Sequence, residues 1–130
     1  TMAYTNAGLS PDGSSTYYMP RKIGDRRARE LMLTNRVLNA QEALDWGVVN
    51  QVVADGDVLV AAQKLAAKLA QGPTQAYGQV KALLDGSFDH SLESQMELEA
   101  RAIAALVGSP DGQEGLHAFL DKRKPQFSGR

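Results

Sequence analysis

From Asp57 to the end of the chain one pattern repeats: a polar cap, an apolar stripe at helical spacing, then a glycine or proline stop. Asp57 opens a helix striped by Val58, Ala62, Leu65 and Leu69, ending near Gln71. Gly72-Pro73 breaks and restarts the chain, with Pro73 suited to a first helical turn. Ala76, Val80, Leu83 and Leu84 stripe the next helix, which stops near Gly86. Ser91 opens a long helix carrying Leu92, Met96, Ala100, Ile103 and Val107, closed by Gly108. Ser109 and Pro110 cap and start a last helix that runs to about Arg123 and is ended by Pro125. Short helices draw most of their stability from tertiary packing. Four in succession with Ala-rich stripes therefore predict close helix packing, part of it between chains.

Residues 1 to about 54 have a different texture. Gly8, Pro11 and Gly13 punctuate the turn-rich loop GLSPDGSS. Asp12 is placed to cap a helix entered through Ser14, Ser15 and Thr16, shortened by Pro20 and stopped by Gly24. A second helix spans about Asp25 to Leu33, with Ala28, Leu31 and Met32 facing inward. Asn39 and Glu42 stand in capping-box register at the start of a two-turn helix through Trp46, and Gly47 suits its C′ position. Arg36 to Leu38 reads as extended, and β-branched Val48 to Val53 as a strand. The fold class expected is mostly α with short β segments.

Several function classes fall away. The chain lacks cysteine, which removes disulfides, thiolate metal sites and a cysteine nucleophile. Its net charge is −1, so there is no overall positive field to hold nucleic acid or an anionic membrane. No apolar run, Val58 to Ala62 and Ala102 to Val107 included, is long enough to cross a bilayer. The opening TMAYTNAGLS has neither a basic nor an apolar signal region, so the expected compartment is cytoplasmic. His90 and His117 stand alone, with no ligand-spaced partners, and no metal is expected. No serine sits in a nucleophile elbow, and no phosphate-cradling glycine loop occurs. Arg21, Lys22, Arg26, Arg27 and Arg29 read as a solvated face. Lys122, Arg123 and Lys124 suit a helix C-terminus, where the macrodipole favours cations, or a phosphate contact. Asp12 keeps two readings: a helix cap, or a carboxylate aimed into a pocket that moves a proton on and off a substrate carbon.

The order of motifs goes further. GLSPDGSSTYYMPRKIG is followed by a run with Leu33, Thr34, Ala40, Glu42, Ala43, Gly47 and Val49 in fixed spacing. The close carries Gly115, Ala118, Phe119, Lys122, Arg123, Pro125 and Phe127. Across essentially all 130 residues this resembles the C-terminal half of the crotonase superfamily, the enoyl-CoA hydratase/isomerase family. The resemblance implies the C-terminal part of the crotonase (ClpP/crotonase) spiral fold plus a helical trimerisation region. Residues 1–54 would be the last part of the spiral core with the acid/base loop. Residues 55–130 would be the helical oligomerisation region, building trimers often stacked as hexamers.

The resemblance also implies a coenzyme A thioester as substrate, with no tightly bound cofactor. Two backbone N–H groups would hold the enolate oxygen, and carboxylates would shuttle the proton. Hydratases resembling this sequence carry a glutamate eight residues before the aspartate position; here that place is Tyr4, after Ala3. In isomerase branches the acid/base follows the Ser-Pro pair, which is Asp12. Phe119 and Lys122 match a pair that meets the CoA adenine and phosphate, often on a neighbouring subunit. The motif SPDGSSTY is most similar to isomerases of phenylacetate degradation. The expectation is an acyl-CoA (enoyl-CoA) isomerase, with enoyl-CoA hydratase as the alternative enzyme and a non-catalytic helical oligomerisation module as the alternative of another class. By the same resemblance the oxyanion-hole half lies outside these residues. The chain then reads as a fragment, inactive alone and prone to pair with copies of itself by exchange of elements.

Overall fold

Side-chain caps set the starts of three of the seven α-helices in the chain, which a computed structural model describes over residues 1–130. The backbone groups divide into two units, Thr1–Gly56 and Asp57–Arg130, each described by itself.

In the first unit a 3-10 turn, Ala3–Ala7, precedes helices α1 (Ser15–Ile23), α2 (Asp25–Thr34) and α3 (Ala40–Asp45). The Asn39 side chain accepts from the Glu42 amide at 2.9 Å, and Glu42 accepts from the Asn39 amide at 3.1 Å, closing the expected capping box. Gly47 follows at φ 75, a conformation open to glycine without penalty. α1 continues past Pro20 and packs on α2. Ile23, Ala28 and Leu31 are buried there, with Met2, Met19, Leu38 and Trp46 against them. Arg27 and Arg36 both lie 4.9 Å from the Trp46 ring, where a guanidinium stacks favourably on the π-face. Arg36 also pairs with Glu30 at 3.0 Å and with Glu42.

The expected β segments do not form. Arg36 to Leu38 and Val48 to Val53 carry no strand. The Val48 and Val49 amides instead return to the Ala43 carbonyl at 2.8 and 3.3 Å. β-propensity needs a neighbouring strand to complete its ladder, and no segment of this unit offers one.

The second unit comprises α4 (Val58–Ala70), α5 (Thr74–Gly86), α6 (Leu92–Val107) and α7 (Pro110–Leu120). α5 packs on α6, and α6 on α7. Its buried apolar residues are small, Ala102 and Ala118, which permits close helix approach. Ser91 and Ser109 cap as expected, their hydroxyls accepting from the Ser94 and Gly112 amides. Pro73 sits one residue earlier than expected, at the N-cap of α5. α4 buries nothing: Val58, Leu65 and Leu69 are 64, 54 and 46% exposed.

The last helix ends at Leu120, short of Arg123. Lys122 adopts φ 53, and the Lys122 and Arg123 amides donate to the Phe119 and Ala118 carbonyls at 3.3 and 3.0 Å. These are the paired bonds of a Schellman-type end. The tail then folds back onto α7. Buried Asp111 accepts from the Ser128 and Gly129 amides at 2.7 and 2.8 Å and from the Ser128 hydroxyl at 3.0 Å. Glu114 takes a two-pronged bond from Arg123 at 2.6 and 2.8 Å and another from the Gln126 amide at 2.8 Å.

This clamp predicts an acid-sensitive tail. Arg123, then the Gln126 amide, hold the Glu114 carboxyl at about 2, below its ordinary 4.5. The Ser128 amide, foremost among its donors, lowers Asp111 as well. A carboxyl whose folded value lies below its unfolded one stabilises fully above the unfolded value, and that contribution fades as pH falls through 4.5 toward 2. Melting temperatures from pH 6 down to about 2.5 check this: wild type should lose its advantage over Glu114→Gln across that window. Parallel curves would show that the clamp adds nothing.

Candidate active site

Asp12 does not cap a helix. Ser14 occupies the N-cap of α1 without a side-chain capping bond. Gly13 and Ser14 stand consecutively at φ 59 and 63. This left-handed pair turns the carbonyl of Asp12, not its carboxylate, toward the helix entrance. The Ser15 amide and hydroxyl both donate to that carbonyl, at 3.1 and 2.6 Å. The exposed carboxylate accepts one hydrogen bond, from the Tyr4 hydroxyl to Oδ1 at 2.6 Å. No backbone amide donates to it.

Tyr4 reaches Asp12 because the chain reverses between them. The 3-10 turn ends at Gly8, φ 70, and the Leu9 amide donates to the Tyr4 carbonyl at 3.1 Å. The hydrogen bond to Asp12, and next the carboxylate's charge, push the Tyr4 phenol above its ordinary 10. Tyr4 is thus a protonated donor at neutral pH. Beside it lies a shallow depression of about 390 Å³, lined by Thr1, Ala3, Tyr4, Ala7 and Leu9. Asp12 is not among its lining residues. A carboxylate with one oxygen held and the other uncommitted is suited to take a proton and return it.

In the second unit, Phe119 is 81% exposed on the last turn of α7. Lys122 follows in its left-handed bend and enters no ion pair, whereas Arg123 is committed to Glu114. Of the basic tail cluster, Arg123 therefore serves the fold. Arg21, Lys22, Arg26, Arg27 and Arg29 are all exposed, the solvated face expected; on it Arg21 lies 3.6 Å from the Tyr17 ring centroid, and Arg29 makes a surface pair with Asp25 at 2.7 Å.

Sequence reasoning passed over Tyr4 as a participant, noting it only as the place where a glutamate is missing. The signal is the eight-residue spacing, at which the Tyr4 hydroxyl reaches Asp12.

Known proteins match the chain along its length. The family model described as enoyl-CoA hydratase/isomerase matches residues 1–130. The 1,2-epoxyphenylacetyl-CoA isomerase of Escherichia coli K12 is 41% identical over 130 residues, covering 99% of this chain and 49% of that protein. The 4-chlorobenzoyl coenzyme A dehalogenase-1 of an Arthrobacter species is 41% identical over 92% of this chain and 44% of its own length. A crystal structure of an enoyl-CoA hydratase/isomerase from Mycobacterium abscessus superposes with a TM-score of 0.94 at 38% identity, covering 98% of this chain and 49% of that one. The chain spans about half the length of the curated relatives it matches. With the family model covering every residue, the chain belongs to the enoyl-CoA hydratase/isomerase family.

Proposed function

We propose that the full-length protein carrying this chain is an acyl-CoA isomerase in which Asp12 is the acid/base. Asp12 takes a proton from an acyl-chain carbon; the C–H electron pair moves into the thioester, giving an enolate. The same carboxyl returns the proton at another carbon, so no atom and no electron is gained or lost. The enolate oxygen is held by amides outside residues 1–130. The supporting observation is one carboxylate free of its own main chain and faced by a phenol. Water addition commonly draws on two carboxylates, and Tyr4, held as a protonated donor, does not serve as the second. The similarity to an epoxyphenylacetyl-CoA isomerase agrees with this reading.

Hydration is the second reading, kept because relatives named as probable enoyl-CoA hydratases reach 38% identity. Incubating the full-length protein with a 3-enoyl-CoA in D₂O separates the two. Deuterated 2-enoyl product without 3-hydroxyacyl product supports isomerisation; 3-hydroxyacyl-CoA as main product overturns it. For residues 55–130 the uncovered stripe of α4 supports a subunit interface, as in a trimer.

The proposal extends to Phe119 and Lys122 as CoA contacts. A non-glycine residue in the left-handed region costs roughly 1–2 kcal/mol, so Lys122 sits where glycine would be more stable. Lys122→Gly is expected to stabilise the protein by about 1 kcal/mol while raising KM for acyl-CoA several-fold. A stabilised variant with an unchanged KM would remove Lys122 from the site.

A further inference from the structure

We propose that Tyr4 is the positioning residue for Asp12, its hydroxyl fixing which carboxylate oxygen faces substrate; this rests on the acid/base reading of Asp12. The two residues have unlike supports. Tyr4 stands on a braced turn. Its carbonyl accepts from Leu9 at 3.1 Å. The adjoining Thr5 hydroxyl donates to the Met32 carbonyl at 2.9 Å and accepts from the Asn35 side chain at 2.7 Å, tying the turn to the end of α2. Asp12 stands on an exposed loop, and its carboxylate has no other hydrogen-bond partner. Nothing local to the loop chooses its rotamer. The 2.6 Å bond from Tyr4 engages Oδ1 and leaves Oδ2 without a hydrogen bond, the oxygen left to take the proton. A charge-assisted bond this short restrains both side-chain torsions of the aspartate. Misplacement of a reacting group by about 1 Å can cost on the order of 10²-fold in rate, so the restraint acts on turnover, not on substrate binding.

The test is Tyr4→Phe in the full-length protein, which removes one oxygen and keeps the ring. Isomerisation kcat is expected to fall roughly 10- to 100-fold, with KM for the acyl-CoA and the melting temperature unchanged. Made on an Asp12→Asn background, the same change is expected to lower the residual rate by less than about twofold, because coupled residues are not additive. Three results would overturn the proposal while leaving the acid/base reading intact, provided Asp12→Asn itself shows a large loss of rate. They are an unchanged kcat in Tyr4→Phe, an equal loss in both backgrounds, or a loss confined to KM and melting temperature. An Asp12→Asn enzyme at wild-type rate overturns the acid/base reading, and this inference with it.

Discussion

Asp12→Asn is expected to reduce isomerisation about 10³-fold, within the 10²–10⁴ that a positioned general acid/base supplies. The substitution keeps size and shape. The asparagine carbonyl oxygen can still accept from the Tyr4 hydroxyl, now 2.6 Å from Oδ1. The carbonyl of residue 12 still receives the Ser15 amide and hydroxyl, so the entrance to α1 is retained. What disappears is the ability to bind and release a proton. KM and melting temperature should therefore hold while kcat collapses, the pattern of a lost transition-state interaction. Residual rate would reflect the proposed enolate-stabilising amides, which would work without the carboxylate. The measurement is deuterium incorporation from D₂O into the acyl chain, read beside product formation. Exchange at wild-type rate in Asp12→Asn would mean that the aspartate only shapes its loop.

Legibility in the sequence followed the range of the interaction. The Asn39/Glu42 box and the Ser91 and Ser109 caps are three-residue devices, and each formed as read. The inward positions Ala28 and Leu31 follow from helical period alone. The same local logic misled at Asp12. A Pro-Asp-Gly turn before a helix reads as a cap, but the left-handed pair Gly13 and Ser14 redirects the carboxylate. A φ above zero at a serine leaves no trace in residue type. Val48 to Val53 failed for a different reason: its composition favours a strand, but a strand is a property of two segments. Asp111 goes unmarked in the sequence because its bonds to Ser128 and Gly129, 17 and 18 residues on, have no local signature. The catalytic reading of Asp12 owed its strength to motif order, and Tyr4 became visible only when the backbone brought the two together.

Within α7, two glycines are expected to answer alanine with opposite signs. By helix propensity both changes should help, since alanine is favoured over glycine by about 1 kcal/mol in a helix interior. Gly115→Ala should follow that rule. A Cβ there would stand 3.5 and 3.8 Å from the Phe127 ring, ordinary contact distances. Gly112→Ala should not. A Cβ there would overlap the Leu106 carbonyl oxygen and lie 2.9 Å from its carbon and 3.1 Å from Ser109 Oγ. Those atoms belong to the joint between α6 and α7. Ser109 Oγ donates to the Leu106 carbonyl at 2.7 Å and accepts from the Gly112 amide at 3.0 Å. The neighbour is backbone and cannot rotate aside, so the joint must open. Overpacking of this kind costs about 1–3 kcal/mol, and loss of a serine cap about 0.5–2; together they outweigh the propensity gain. We expect Gly112→Ala to destabilise by about 2 kcal/mol, read as a lowered melting temperature. Phe119 stands on the same helix and Lys122 in the bend just after it, so on the proposed CoA contacts acyl-CoA affinity should weaken along with stability. Thermal melts of the two single variants are the check. A Gly112→Ala protein melting at or above wild type would mean that the α6–α7 joint yields without strain, and that the close approach at residue 112 is not what seats the last helix.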